Sequence, residues 1–274
     1  MKSFLALTAL ALATAAPAPA QHAGHDDYLH LWRLDCGTIT IKEFNSFFSD
    51  TLDYKPGPRD VAASCYLIHH NGQYLLWDTG YAASLKGQKA DQGYGIVVVR
   101  NTVADQLAEL GLKPADINMV GISHAHGDHT GQASEFPAAK LIVGKGDFDM
   151  TKGQRDPFGP WRTEGAKIQL MHGEDIDLFG DGKVIALNLP GHTPDHMALL
   201  VKLKSGNVLL SGDLYHSTEA RAIRGVPPFN TSRAETLASM DRFERLAKNL
   251  NAKVIIQHEP ADIAKLPAFP KPAE

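Results

Sequence analysis

Four side chains able to bind a metal ion fall within six residues in the stretch His124-Ala125-His126-Gly127-Asp128-His129. The stretch follows an apolar run, residues 117–122, that reads as a buried strand. His124 and His126 then leave the strand on one face, because strand side chains alternate with period two. Asp128 and His129 come a short turn later and can point at a neighbouring position. This spacing suits two adjacent metal ions better than one. Neutral imidazole and carboxylate both ligate zinc, which takes about four donors at roughly 2.0–2.2 Å. A merely polar surface turn gives no reason for three histidines and an aspartate in this place.

Three further candidates stand in the same kind of position, just past an apolar strand. His192 follows Leu189-Pro190-Gly191, Asp213 follows 208–212, and His258 follows 254–257. Residues distant in sequence can converge this way at one rim of a sheet, where open α/β sheets form their sites. His30, His69, His70 and His172 read instead as surface or satisfied core residues. His216 lies near Asp213 and could support a ligand from behind.

The elements that must carry these groups are legible in outline. Strands are expected at 29–34, 65–68 and 74–77, the last two joined as a hairpin by Asn71-Gly72. Residues 44–59 hold Phe44, Phe47, Phe48 and Tyr54 and form a long aromatic loop. It is either a pocket wall or a segment packing its own rings or a second subunit. Thr102 to Asp105 opens a helix that Gly111 stops. A strand follows at 140–143, and then 144–166, broken by Gly153, Pro157, Gly159 and Pro160, as an irregular cover over the site. Strands at 168–171, 184–189, 197–203 and 208–210 come next. Ser232 and Glu235 then open an amphipathic helix reaching about Leu250, and a last strand at 253–256 delivers His258.

In order along residues 29–260, Asp78-Thr79-Gly80, the HxHxDH motif, Gly191-His192-Thr193, Ser211-Gly212-Asp213 and His258 resemble the metallo-β-lactamase superfamily of hydrolases. The resemblance implies an α/β fold, an αββα sandwich of mixed sheets with helices on the outer faces. It implies His124, His126 and His192 on a first metal, Asp128, His129 and His258 on a second, and Asp213 bridging. His196, four residues after His192, is not the ligand in that pattern, and Asp78 is implied to orient a ligand histidine. The cofactors implied are two divalent ions, zinc foremost. Asp128 would act as the catalytic proton carrier while a metal-bridging hydroxide attacks.

Within the superfamily the chain looks most like the N-acyl homoserine lactonases of quorum quenching, with Tyr215 beyond Asp213 as a second catalytic candidate. The partner implied is a small molecule carrying an acyl chain, and a homodimer is compatible with it. The alternatives are a β-lactamase or another exported metallo-hydrolase acting on a thioester, aryl ester or phosphotriester.

Composition and the chain ends bound these readings. The 274 residues carry 27 Lys and Arg against 31 Asp and Glu, a net charge of −4. No basic block suggests nucleic acid. Cys36 and Cys65 could pair, or Cys65 could be a small core residue. Residues 1–20 have the charged start, apolar stretch and Ala18-Pro19-Ala20 ending of a secretory signal peptide, too short for a membrane span. Residues 21–28 read as a flexible leader and 29–274 as the hydrolase domain, exported to the periplasm or medium after cleavage. Export predicts a mature chain beginning at Gln21. Intact-mass measurement of exported material checks this, and a retained Met1 overturns it.

Overall fold

The computed structural model describes residues 28–153 and 156–274. The expected signal peptide, and the leader up to Asp27, lie outside the described residues. The first sheet comprises β1 (His30–Ile41), β2 (Arg59–His70), β3 (Gln73–Trp77), β4 (Lys89–Asp91), β5 (Gly95–Val98), β6 (Met119–Gly121), β7 (Lys140–Gly144) and β8 (Ile168–Met171). Their order across the sheet is β4-β5-β1-β2-β3-β6-β7-β8. The second sheet comprises β9 (Ile176–Asp177), β10 (Val184–Asn188), β11 (Met197–Leu203), β12 (Gly206–Leu210) and β13 (Lys253–Ile255), in the order β13-β12-β11-β10-β9. Both are mixed: β3, β6, β7 and β8 run parallel, as do β12 and β13, and the remaining pairs are antiparallel.

Local chemistry explains several joints. Asn71 and Gly72 take φ of 51° and 71°, the left-handed pair that a two-residue hairpin between β2 and β3 demands. The helices are α1 (Phe44–Phe48), α2 (Val103–Glu109), α3 (Gly127–Thr130), α4 (Lys145–Met150), α5 (Thr218–Ile223), α6 (Arg233–Asn249) and α7 (Pro260–Ile263). Thr102 and Asp105 form the reciprocal capping box expected at the start of α2. Ser232 Oγ accepts the Glu235 N–H at the start of α6.

The layers follow from strand alternation. On β11, Met197, Leu199, Val201 and Leu203 face Leu31, Tyr66, Ile68, Leu75 and Trp77 of the first sheet. Ala198 and Leu200 point the other way, against Met240, Phe243 and Ala247 of α6. The outer face of the first sheet is covered by Val103 and Leu107 of α2, with Phe148 of α4. This is the αββα sandwich. Each fully buried Leu or Val stabilises it by about 1.5–3 kcal/mol, so the facing apolar stripes fix the register between layers.

Two expectations are corrected. No described residue of 144–166 lines the main cavity over the site: Phe148 of α4, Phe158 and Trp161 are buried in the outer core of the first sheet. Trp161 Nε1 donates to Ala139 O at 2.9 Å, so an indole that could have lined a pocket is satisfied inside the protein. The aromatic stretch 44–59 contains α1, in which Phe44 packs on Tyr54 at 5.3 Å between ring centres while Phe47 and Phe48 face a cavity. Both readings of that stretch therefore hold, for different rings.

Cys36 and Cys65 are joined in a disulfide across β1 and β2, with Cα atoms 5.9 Å apart. The bond closes a loop spanning 29 positions of sequence separation. Loop-closure entropy for that length gives about 3–4 kcal/mol of stabilisation. The double substitution Cys36→Ala, Cys65→Ala is therefore expected to lower the denaturant midpoint by that equivalent, read by circular dichroism. An unchanged midpoint would show that the bond does not constrain the unfolded chain.

Candidate metal centre

The rim where β6, β10, β12 and β13 end gathers the titratable groups. His124 Nε2, His126 Nδ1 and His192 Nε2 lie 3.0, 3.2 and 3.1 Å from one another. Asp213 Oδ2 stands 3.5 Å from both His124 Nε2 and His192 Nε2. Donors held about 2.1 Å from one tetrahedral zinc lie roughly 3.4 Å apart, so these four atoms have the separations of one coordination shell. The other oxygen, Asp213 Oδ1, stands 3.3 Å from His129 Nε2 and 3.0 Å from His258 Nε2. Asp128 Oδ2 completes that side, 3.8 Å from His129 Nε2 and 3.6 Å from His258 Nε2. One carboxylate thus presents one oxygen to each of two neighbouring sets.

The outer nitrogens of His124, His129, His192 and His258 are held. Ser123 Oγ lies 3.1 Å from His124 Nδ1, Asn230 Oδ1 2.9 Å from His192 Nδ1, and Ala62 O 2.6 Å from His258 Nδ1. His129 Nδ1 lies 3.0 Å from Asp78 Oδ2, which also accepts from Ser123 Oγ and Gln257 Nε2 while Oδ1 accepts the Ser123 N–H. Asp78 therefore orients His129 from behind, as the resemblance implied. Such partners fix ring orientation and leave the inner nitrogen to face the centre. Gly191 is required by space as much as by its φ of 128°: a Cβ there would sit 2.2 Å from Thr236 N, where α6 starts beside His192.

Electrostatics agree with a cation at this place. Burial, and then the nearby His129, hold His124 well below its ordinary pKa, and burial does the same to His192. Burial would also lower His129, but the Asp213, Asp128 and Asp78 carboxylates outweigh it and hold it well above. Burial would raise Asp213, yet His258, His129 and His124 hold it well below the carboxylate range. Inside this centre His129 Nε2, Asp213 Oδ1 and His216 Nε2 are buried without a hydrogen-bond partner. Such orphans are rare and need a reason. The donor set fits divalent metal: every group is a nitrogen or carboxylate oxygen aimed inward.

A family model for the metallo-beta-lactamase superfamily matches residues 58–258. The chain belongs to that superfamily. It is an enzyme of the metal-dependent hydrolase class. Among curated superfamily relatives, the N-acyl homoserine lactonase AttM of Rhizobium radiobacter is 28% identical, over 88% of this chain and 98% of the relative. Among solved structures, AiiA of B. thuringiensis with N-decanoyl-L-homoserine bound superposes with a TM-score of 0.75 at 20% identity, over 89% of this chain and 98% of that one. AidC, described as a dizinc quorum-quenching lactonase, superposes with a TM-score of 0.61 at 19% identity, over 89% of each chain. At these identities the structural likeness speaks for the superfamily fold.

The structure brings together His124, His126, Asp128, His129, His192, Asp213 and His258. It does not bring Tyr215. That ring sits in the outer core with Phe243 of α6, and its hydroxyl donates to Glu244 Oε1 at 3.1 Å. The backbone at Tyr215 is extended, so successive side chains alternate: Tyr215 faces outward and His216 faces the centre. Sequence reasoning also passed over Gln257, which bonds Asp78, and set His196 aside as a non-ligand without giving it a role. The His196 ring accepts the Asp213 N–H at 3.0 Å on Nε2 and donates to Leu189 O from Nδ1. The only signal for either was its place beside a ligand candidate.

A cavity of about 350 Å³ opens on the centre. Asp128, Asp213, His126, His216 and His258 form its polar floor, and Ile39, Ile41, Phe47, Phe48, Val61, Tyr81, Tyr94 and Phe229 its walls. Burial, and then Asp128, push the Tyr94 phenol up to about 12 and raise Tyr81 further, so both stay protonated at neutral pH.

Losing a partner behind a ligand typically lowers metal affinity about 10–100-fold. Asp78→Asn keeps the shape but removes the charge behind His129. It is expected to weaken the tightness of metal holding by that factor, measured by competition with a chromophoric chelator. Affinity equal to the parent's would mean that Asp78 serves folding alone.

Proposed function

We propose that the chain is a dinuclear metal-dependent lactonase that opens the ring of N-acyl homoserine lactones. The observation that carries this reading is the pairing of a polar, two-sided ligand floor with a cavity whose walls are apolar and aromatic. A lactone ring needs the floor and an acyl chain needs the walls. The names of the curated relatives, lactonases matched over most of both chains, support the same substrate class.

When bound, two divalent ions polarise the ester carbonyl and make a water acidic enough to attack near neutral pH. The chain's own residues do the rest. Asp128, partly open to the cavity, accepts the proton of the attacking water and returns it to the departing ring oxygen. Tyr81 and Tyr94, kept neutral, remain O–H donors toward polar groups of a bound ligand. Phe229, half-exposed and 5.1 Å from Phe47, closes the apolar wall over His126 and His192. No helix among the described residues is long and apolar enough to cross a membrane.

Each buried methylene contributes up to about 0.8 kcal/mol, so each added acyl carbon should improve kcat/KM a few-fold until the cavity fills. On metal-loaded protein, acyl homoserine lactones are expected to exceed cephalosporins, a thioester, an aryl ester and a phosphotriester in kcat/KM. Phe229→Ala should then weaken long-chain substrates more than short ones. A cephalosporin or phosphotriester outrunning every lactone sinks the lactonase reading and leaves a metallo-hydrolase of another specificity.

A further inference from the structure

We propose that His216 is a further ligand of the metal centre, facing the Asp213 oxygen that His124 and His192 also face, with its ring stacked on His258. The inference rests on the two-metal reading above and adds a residue that the superfamily resemblance does not supply. Three buried polar atoms of the centre have no hydrogen-bond partner: His129 Nε2, Asp213 Oδ1 and His216 Nε2. Two of them belong to the expected ligand set, and the third carries the same signature.

Distance agrees. His216 Nε2 lies 3.2 Å from Asp213 Oδ2, within the 3.0–3.5 Å that separates this carboxylate's oxygens from the other imidazoles. With Asp213 and His258 it forms a set of ligand atoms all within 4.8 Å of one another. The ring is aimed by packing on both sides. It lies parallel to His258, 4° between planes at 5.6 Å, and rests on Phe48 at 4.3 Å. A buried imidazole nitrogen 3.2 Å from a carboxylate that already faces four imidazoles has the separation and aim of a coordinating group.

The test uses the full chain loaded with cobalt(II), whose visible bands and hyperfine-shifted imidazole proton signals report the ligands directly. Six coordinated imidazoles are expected in the parent: His124, His126, His129, His192, His216 and His258. His216→Phe keeps the ring between Phe48 and His258 but has no nitrogen. It should lose one imidazole's signals, change the visible bands as the coordination number falls, and weaken the looser ion about tenfold or more. His216→Ala serves the same reading if the bulkier ring disturbs folding. Five coordinated imidazoles in the parent, or the same signals and bands in parent and variant, overturns the assignment while leaving the two-metal centre intact. A parent that takes up no cobalt overturns both.

Discussion

The buried carboxylate of Asp213 is the constraint around which the molecule is arranged. It sits at the end of β12 with imidazoles on both sides: His124, His192 and His216 face one oxygen, His129 and His258 the other. Those residues arrive from the ends of β6, β10, β12 and β13, so the two sheets meet electrostatically as well as through their apolar faces. Imidazole nitrogens 3.0–3.2 Å apart at the floor of a cavity repel unless protons or cations lie between them.

A second layer holds the first. Asp78, at the end of β3, gathers Ser123 from the end of β6, His129 from α3 and Gln257 from the end of β13. His196 links the Asp213 N–H to the end of β10, and Asp147 of α4 accepts from the N–H groups of Ala125 and Asp195, pinning both histidine loops. The precision of the rim therefore comes from loops cross-braced by buried polar side chains, each satisfied by a neighbour from another strand. The apolar cavity beside the rim is built separately, by α1 and by strands of the first sheet. Its rings also touch the centre, Phe48 packing on His216 and Phe229 on His126 and His192, so a change of wall residue reaches the imidazoles.

Much of this was legible in the chain. The HxHxDH stretch declares itself because its residue types and spacing are local, although β6 ends at Gly121 and the distant Asp78 and Asp147 hold the loop that aims the side chains. Asp213, His192 and His258 were legible as polar groups ending apolar runs, and Thr102 and Ser232 as caps, since both signals are local. The short strands β4 and β5 were not: Lys89–Asp91 is polar, and only its pairing with β5, itself held on β1, makes it a strand. The partnering of Cys36 with Cys65 was left open because it depends on the register of β1 on β2.

The sequence by itself determined which residue types can bind metal, the period-two stripes that stack two sheets, and the order of the strands that carry the ligands. Only the tertiary structure decided which of two adjacent side chains after Asp213 meets the centre. The turn Gly212–Leu214 returns the chain to extended backbone at Tyr215, where neighbours point to opposite faces. Tyr215 thereby goes to α6 and Glu244, and His216 goes to the metal side. A difference of one residue in that turn would exchange them, and nothing local to either side chain records which way the turn runs.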